Sequence, residues 1–318
     1  MKTMKKFPNI CLLSLLALGS SQAAVYTFDN SDGDRLFSGS GNWNYLSGSP
    51  AGTFPVTNDA LRVENSVFTT TLLAPALIDS AWSVTGGNTF FQGFGTAYGL
   101  VQNGANLRPA GVTIGAANAA TNHGFVTVAT GGQISTAAAL SGSLIIGGSS
   151  TQSNGTLLLQ AGAIVNDLPN LNLGSTGTLQ FTADSTGFGG TSMALKGNST
   201  WSMNGTLTLD LSAYTLATPT QFTLIDQINA TPVSMTGDLR TWLDGGSGSS
   251  RTVTGSGTFG DGVFEIIGLT GSGSTTLSYN DTSKTLFVTT AIPEPGTSGL
   301  LAFSLAALVF SRRRRSNC

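Results

Sequence analysis

A short phrase recurs through the middle of the chain. A glycine is followed by apolar residues at the second and fourth places after it: Gly124-Phe-Val-Thr-Val128, Gly155-Thr-Leu-Leu-Leu159, Gly177-Thr-Leu-Gln-Phe181 and Gly205-Thr-Leu-Thr-Leu209. A strand alternates faces with period two, so Val126 and Val128, Leu157 and Leu159, Leu179 and Phe181, and Leu207 and Leu209 form pairs that each point one way. A second phrase ends in glycine, with apolar residues three and one places before it: Val112-Thr-Ile-Gly115, Leu144-Ile-Ile-Gly147 and Leu171-Asn-Leu-Gly174. The first phrase recurs at spacings of 31, 22 and 28 residues, the second at 32 and 27.

Such a period suggests a solenoid or an array. One unit supplies two short strands and cannot bury its apolar side alone, so units must stack. The fold class expected is all-β, a right-handed parallel β-helix with the paired side chains as inward columns and rungs about 4.8 Å apart. A β-sandwich or jelly roll is the alternative. The phrase Gly, Thr, Leu, x, Leu resembles the autotransporter-type β-strand repeats of bacterial surface proteins. The fourth unit departs from the pattern, because Ala194 and Lys196 stand where two apolar residues are expected before Gly197.

Composition fits strands and turns rather than disorder. Charged residues are 9% of the chain, hydrophobic residues 40%, and glycines number 42. Disorder pairs low hydrophobicity with high charge, and here neither holds. No amphipathic helix stands out between residues 25 and 290. Residues 25–110 read as an N-terminal β cap with the first strands, 111–214 as the repeat region, and 215–291 as a closing β region. In the cap, Trp43 is expected to cover the end of the core, which would otherwise expose strand edges. In the closing region, Phe222 to Ile225, Val263 to Ile267, Thr276 to Tyr279 and Thr285 to Val288 read as strands, with a flexible loop from Gly245 to Ser250.

Both ends are hydrophobic and differ from the body. Lys2, Lys5 and Lys6 precede a short apolar run, Ile10 to Leu18, and the small-residue site Ser21-Gln22-Ala23, so residues 1–24 read as a signal peptide cut after Ala23 or Ala24. The tail, residues 292–318, holds Pro293, Glu294, Pro295 and Gly296, then an apolar run from Gly299 to Phe310, then Arg312, Arg313, Arg314 and Arg315. An apolar helix with a cationic stop reads as a transmembrane segment whose C-terminus stays in the cytoplasm. At 12 residues the run spans about 18 Å, short of a hydrocarbon core of roughly 30 Å. That length suits a transient anchor.

Pro293 to Pro295, the apolar helix and the arginine cluster resemble the PEP-CTERM sorting signal of Gram-negative bacteria. The resemblance covers about the last 26 residues. It implies an exosortase, a membrane-embedded cysteine transpeptidase, as processing partner. It implies a precursor held transiently in the inner membrane and a mature form at the cell surface or outside the cell. The family's association with biofilm makes matrix exopolysaccharide a further implied partner.

With both ends removed, the body loses Lys2, Lys5, Lys6 and the four terminal arginines, leaving 7 cations, and loses Glu294, leaving 15 acids. Its net charge of −8 disfavours nucleic acid and anionic membrane as partners. Cys11 and Cys318 both lie in the ends, so the body has no disulfide and no thiolate.

The search for catalytic chemistry finds little. His123 is the only histidine and falls in a predicted turn, so neither a His/Cys zinc site nor a Ser-His-Asp triad is supported. Gly255 to Gly260 spells G-x-G-x-x-G but leads into a strand, not the helix a dinucleotide site needs. Asp29, Asp32 and Asp34 suit a solvated turn better than a calcium site. Asp167, Asp184, Asp210 and Asp226 are too scattered to nominate a carboxylate pair. The body's cations, Arg35, Arg62, Arg108, Lys196, Arg240, Arg251 and Lys284, are widely separated. The expectation is a non-enzymatic surface or extracellular-matrix structural protein with no catalytic, cofactor or metal site. The competing reading is a secreted β-helix polysaccharide-active enzyme or a carbohydrate-binding adhesin, which would need acids and cations converging in one groove.

Overall fold

The computed structural model describes residues 24–48, 55, 60–63, 75–91, 95–115, 122–135, 142–148, 153–190, 192–196, 200–215, 219–228, 233–269 and 273–291. The expected signal helix and the expected transmembrane helix fall outside these, apart from Ala24. Among the described residues no helix is long and apolar enough to cross a membrane.

The described residues are mostly β, with one short α-helix, Asp238–Asp244. From residue 106 it visits three strand positions in a fixed order. Asn106–Ile114 spans the first two, and Asn122–Val128 occupies the third. The next round is Gln133–Ser135, Ser143–Ile146 and Asn154–Gln160, and the one after is Ile164–Leu168, Asn170–Leu173 and Gly177–Thr182. A further round is Met193–Lys196, Trp201–Met203 and Thr206–Asp210. At each position a strand pairs in parallel with its counterpart one round on.

Register follows the two phrases. At the third position Val126, Leu157, Leu179, Leu207 and Phe264 align as one column, and Val128, Leu159, Phe181, Leu209 and Ile266 as another. At the second, Val112, Leu144, Leu171 and Trp201 align, as do Ile114, Ile146, Leu173 and Met203. All of these side chains are buried in one core. Each is worth about 1.5–3 kcal/mol by area, so the columns carry the stack.

Glycine in both phrases has one cause. The third-position strand begins where the preceding second-position strand ends, and the backbones touch there. A Cβ on Gly155 would lie 2.1 Å from the Ile114 carbonyl oxygen and 2.2 Å from the Gly147 nitrogen. One on Gly147, whose φ is +68°, would lie 2.3 Å from the Gly177 nitrogen. The two glycine columns interlock, and no side chain fits between them.

Three expectations change within the stack. The two-strand unit has a third strand, whose inward column is Leu107, Ile134, Val165, Met193 and Ile225. The fourth unit is not broken. Met193 and Leu195 face the core, which turns Ala194 and Lys196 outward, and Trp201 and Met203 fill the second-position columns. His123 lies half-buried within the strand Asn122–Val128, paired with Thr96 and Asn154, and not in a turn.

The ends of the stack are built differently. At the N-terminal end, Val25–Phe28 runs antiparallel to Trp43–Ser47 and parallel to Ala60–Val63. Trp43 is buried there, its ring centroid 5.1 Å from that of Phe28 and 4.9 Å from that of Phe37. At the other end Thr220–Ile228 is parallel to Met193–Lys196 on one side and antiparallel to Thr285–Ala291 on the other. Ser274–Asn280 and Ser250–Thr254 extend this antiparallel edge. The helix Asp238–Asp244 lies between, with Leu239 and Leu243 buried at a helical i, i+4 spacing. The loop expected from Gly245 to Ser250 is a tight turn. Gly245 and Gly246 donate to helix carbonyls, and Ser249 donates to Asp244 at 2.9 Å. Val25–Phe28 and Thr285–Ala291 stand eight strand steps apart in one sheet, about 38 Å at 4.8 Å per step.

Candidate functional site

The acidic turn at the N-terminal end is built around Asn42, which is fully buried. Its Oδ1 accepts the Asp32 amide at 2.9 Å, and its Nδ2 donates to the Leu36 carbonyl at 2.9 Å and to Asp34 at 2.5 Å. Asp29 accepts the amide and hydroxyl of Ser31 at 3.0 and 2.6 Å, and Asp32 accepts the Gly41 amide at 3.1 Å. Hydrogen bonds from the Leu36 amide and from Asn42 hold the Asp34 carboxyl below the usual carboxylate range. All three carboxylates are engaged by donors of their own turn, which seats Phe37 and Trp43 over the core. Among the described residues no group of three or more His, Cys, Asp or Glu side chains could hold a metal ion.

Among the described residues the densest charge cluster sits at the closing end. Arg240 donates to Asp281 at 2.6 Å and to Asp244 at 3.0 Å, and its guanidinium lies 4.6 Å from the centre of the Tyr279 ring. Lys284 reaches Asp281 at 3.1 Å and Ser234 at 2.7 Å. Burial pulls the Asp281 carboxyl up, but hydrogen bonds from Lys284 and Arg240, with their charges, hold it below its ordinary value. Burial pushes the Tyr279 hydroxyl up while it accepts the Met235 amide at 3.0 Å. These pairs tie the turn 281–284 to the helix. A carboxylate shared by two cations in this way clamps its turn to the helix.

Among the described residues the remaining acids do not gather. Asp184 is engaged by its own turn, with Thr186 donating twice at 2.7 Å and lowering its carboxyl. Asp167 meets Lys196 at 3.9 Å, and Asp226 accepts the Thr285 hydroxyl at 3.0 Å. Asp210 faces outward as its alternation requires and accepts the Ser212 amide at 3.0 Å. Parallel pairing places Glu265 on the neighbouring strand, opposite Thr208, whose hydroxyl it accepts at 3.0 Å. Sequence reasoning missed Glu265 because this pairing joins residues 57 positions apart. Arg251 donates to the Trp242 carbonyl at 2.9 Å, on the closing edge. Arg35, Arg62 and Arg108 belong to the N-terminal half. Gly255 to Gly260 forms a strand and turn of a hairpin, Gly257–Phe259 against Phe264–Ile267. On the outer face, Tyr98 and Phe125 stack on adjacent strands with centroids 5.4 Å apart.

The described chain ends at Ala291, inside a paired strand. Residues 291–315 match the model of the PEP-CTERM protein-sorting motif. The matched stretch contains Pro293, Glu294, Pro295, Gly296 and Arg312 to Arg315. This motif implies processing by an exosortase-type enzyme, and an exported protein that is anchored in a membrane and then processed. No curated protein and no solved structure matches the chain.

Proposed function

We propose that the chain is an exported structural protein of the cell surface or extracellular matrix, delivered by its tail and not an enzyme. The body is a right-handed parallel β-helix of the autotransporter-repeat kind. Parallel pairing at three successive strand positions supports this over a sandwich or jelly roll, which are antiparallel. Right-handed crossovers are the rule for parallel strands joined this way. The observation that carries the function is the sorting motif at residues 291–315, set on a body in which Asp32, Asp34, Asp184, Arg240 and Asp281 are engaged in turns and clamps. In this reading residues 1–24 are a cleaved signal peptide, Pro293, Glu294 and Pro295 are recognised by the processing enzyme, and Arg312 to Arg315 hold the short helix in the inner membrane until release. The host is a Gram-negative bacterium, and the mature protein works among matrix polysaccharides.

Mass spectrometry of the released protein tests the delivery step. No peptide beyond about residue 295 is expected, and Glu294→Ala should leave the body in the membrane fraction. An intact arginine tail on mature surface protein would refute processing. The stacked pair of half-buried Tyr98 and exposed Phe125 favours one second reading, a carbohydrate-binding adhesin, since an exposed aromatic ring suits a sugar ring. That reading requires polysaccharide binding that Phe125→Ala abolishes.

A further inference from the structure

We infer that the processing enzyme docks on the folded closing end of the body, at the uncharged corner formed by Thr220, Thr254, Ser274 and Ala291. The inference rests on the sorting function proposed for the tail. Thr285–Ala291 is an interior strand, flanked by Thr220–Ile228 and Ser274–Asn280. Its pairing runs to its last residues, Thr290 opposite Thr220 and Ala291 opposite Ser274. Leu286, Val288 and Thr290 are all fully buried. One residue, Ile292, then separates Ala291 from Pro293.

Two residues of chain reach at most about 7 Å. A single helix with its side chains is already about 10 Å across. A membrane-embedded enzyme that grips Pro293 to Pro295 therefore has to touch the end of the sheet. Peeling the strand away would break ladders on both its sides and expose Leu286 and Val288, so the enzyme meets a closed sheet. The corner it meets is made of small hydroxyl side chains. Thr254 pairs with Ser274, and beyond it the edge strand Ser250–Thr254 is paired on one side only among the described residues. That leaves backbone donors and acceptors for a polar partner. The body is thus part of the substrate, and the tail motif is presented at a fixed distance from it.

Pulse-chase of the full-length chain in cells holding the processing enzyme tests this. A flexible Gly/Ser insertion of about ten residues between Ala291 and Ile292 uncouples the corner from the motif. Processing should slow by about tenfold, as the docked enzyme no longer finds the motif at high effective concentration. Thr254→Glu, an exposed position, should slow processing of the native-length chain and leave the lengthened chain unchanged. Protease resistance of each variant checks that the body is folded. A lengthened chain cut as fast as the native one, or faster, overturns the docking, as does a Thr254→Glu chain cut at the native rate. Glu294→Ala should block both lengths. If the native tail is never cut, the sorting function fails and the docking with it. Equal cutting of all the variants with Glu294 intact removes the docking alone.

Discussion

The stacked middle and the closing end solve the same problem with different chemistry. Between residues 106 and 210 the strands are parallel, and their inward columns are nearly all aliphatic or aromatic. The only ion pair there, among the described residues, is Lys196 with Asp167 at 3.9 Å. Between residues 220 and 291 the strands turn antiparallel, and Arg240, Asp244, Asp281 and Lys284 tie the loops together. A repeating stack can use the same apolar contact at every round. The last round has no neighbour to supply the next layer, so it folds back on itself, and exposed turns are held by charge and hydrogen bonds. The contrast predicts that the stack is sensitive to volume and the closing end to pH.

Phe181→Ala should have the largest effect. It removes a fully buried ring from the middle of a column, and about 3–5 kcal/mol of stability is expected to go with it. Chemical denaturation should show the whole stack losing cooperativity. A loss below about 1 kcal/mol would break the claim that the columns carry the fold.

Gly155→Ala should cost about 3 kcal/mol or more, because its new methyl would meet backbone atoms that cannot move aside. Gly104→Ala is the control. Gly104 is the reverse case: its φ is positive, +78°, with open space around it, whereas Gly155 has close backbone neighbours and no positive φ, so at Gly104 only the conformational cost of about 1–2 kcal/mol is expected. Equal melting temperatures for the two variants would show that close approach, as distinct from φ, does not set the glycine column.

Asp281→Asn should have the smallest effect, under about 1 kcal/mol, since the Asp281 side chain is 50% exposed and solvent screens its pairs. Its location is the sharper readout: amide exchange should quicken near residues 234–244 and 279–285 and stay unchanged in the stack. The pH dependence follows from the same group. Its folded value lies below the unfolded one of about 3.9, so its contribution is present above that pH and fades as pH falls through the lowered value. Tyr279, held neutral by burial, acts in the opposite sense. Its contribution is present below the unfolded value of about 10 and fades as pH rises through the raised folded one. Exchange that quickened first in the stack at either extreme would reverse the comparison.

What could be read without coordinates was what repeats in the local chain. The inward pairs from Val126 to Leu209, the glycines beside them and the terminal sorting phrase each declare themselves within five residues or so, because strand alternation and turn chemistry act over that range. The strands of the first position carry no such local phrase. Gln133–Ser135 offers one inward apolar residue, Ile134, and a single residue has no period. In the fourth round the phrase breaks at Ala194 and Lys196, yet parallel pairing with Val165 and Leu168 turns Met193 and Leu195 to the core. Only the assembled stack decided which strands are neighbours, why Gly147 and Gly155 must both lack a side chain, and that Glu265 lies beside Thr208. Those facts depend on backbones brought together from tens of residues apart, where the local pattern of either segment carries no record of the other.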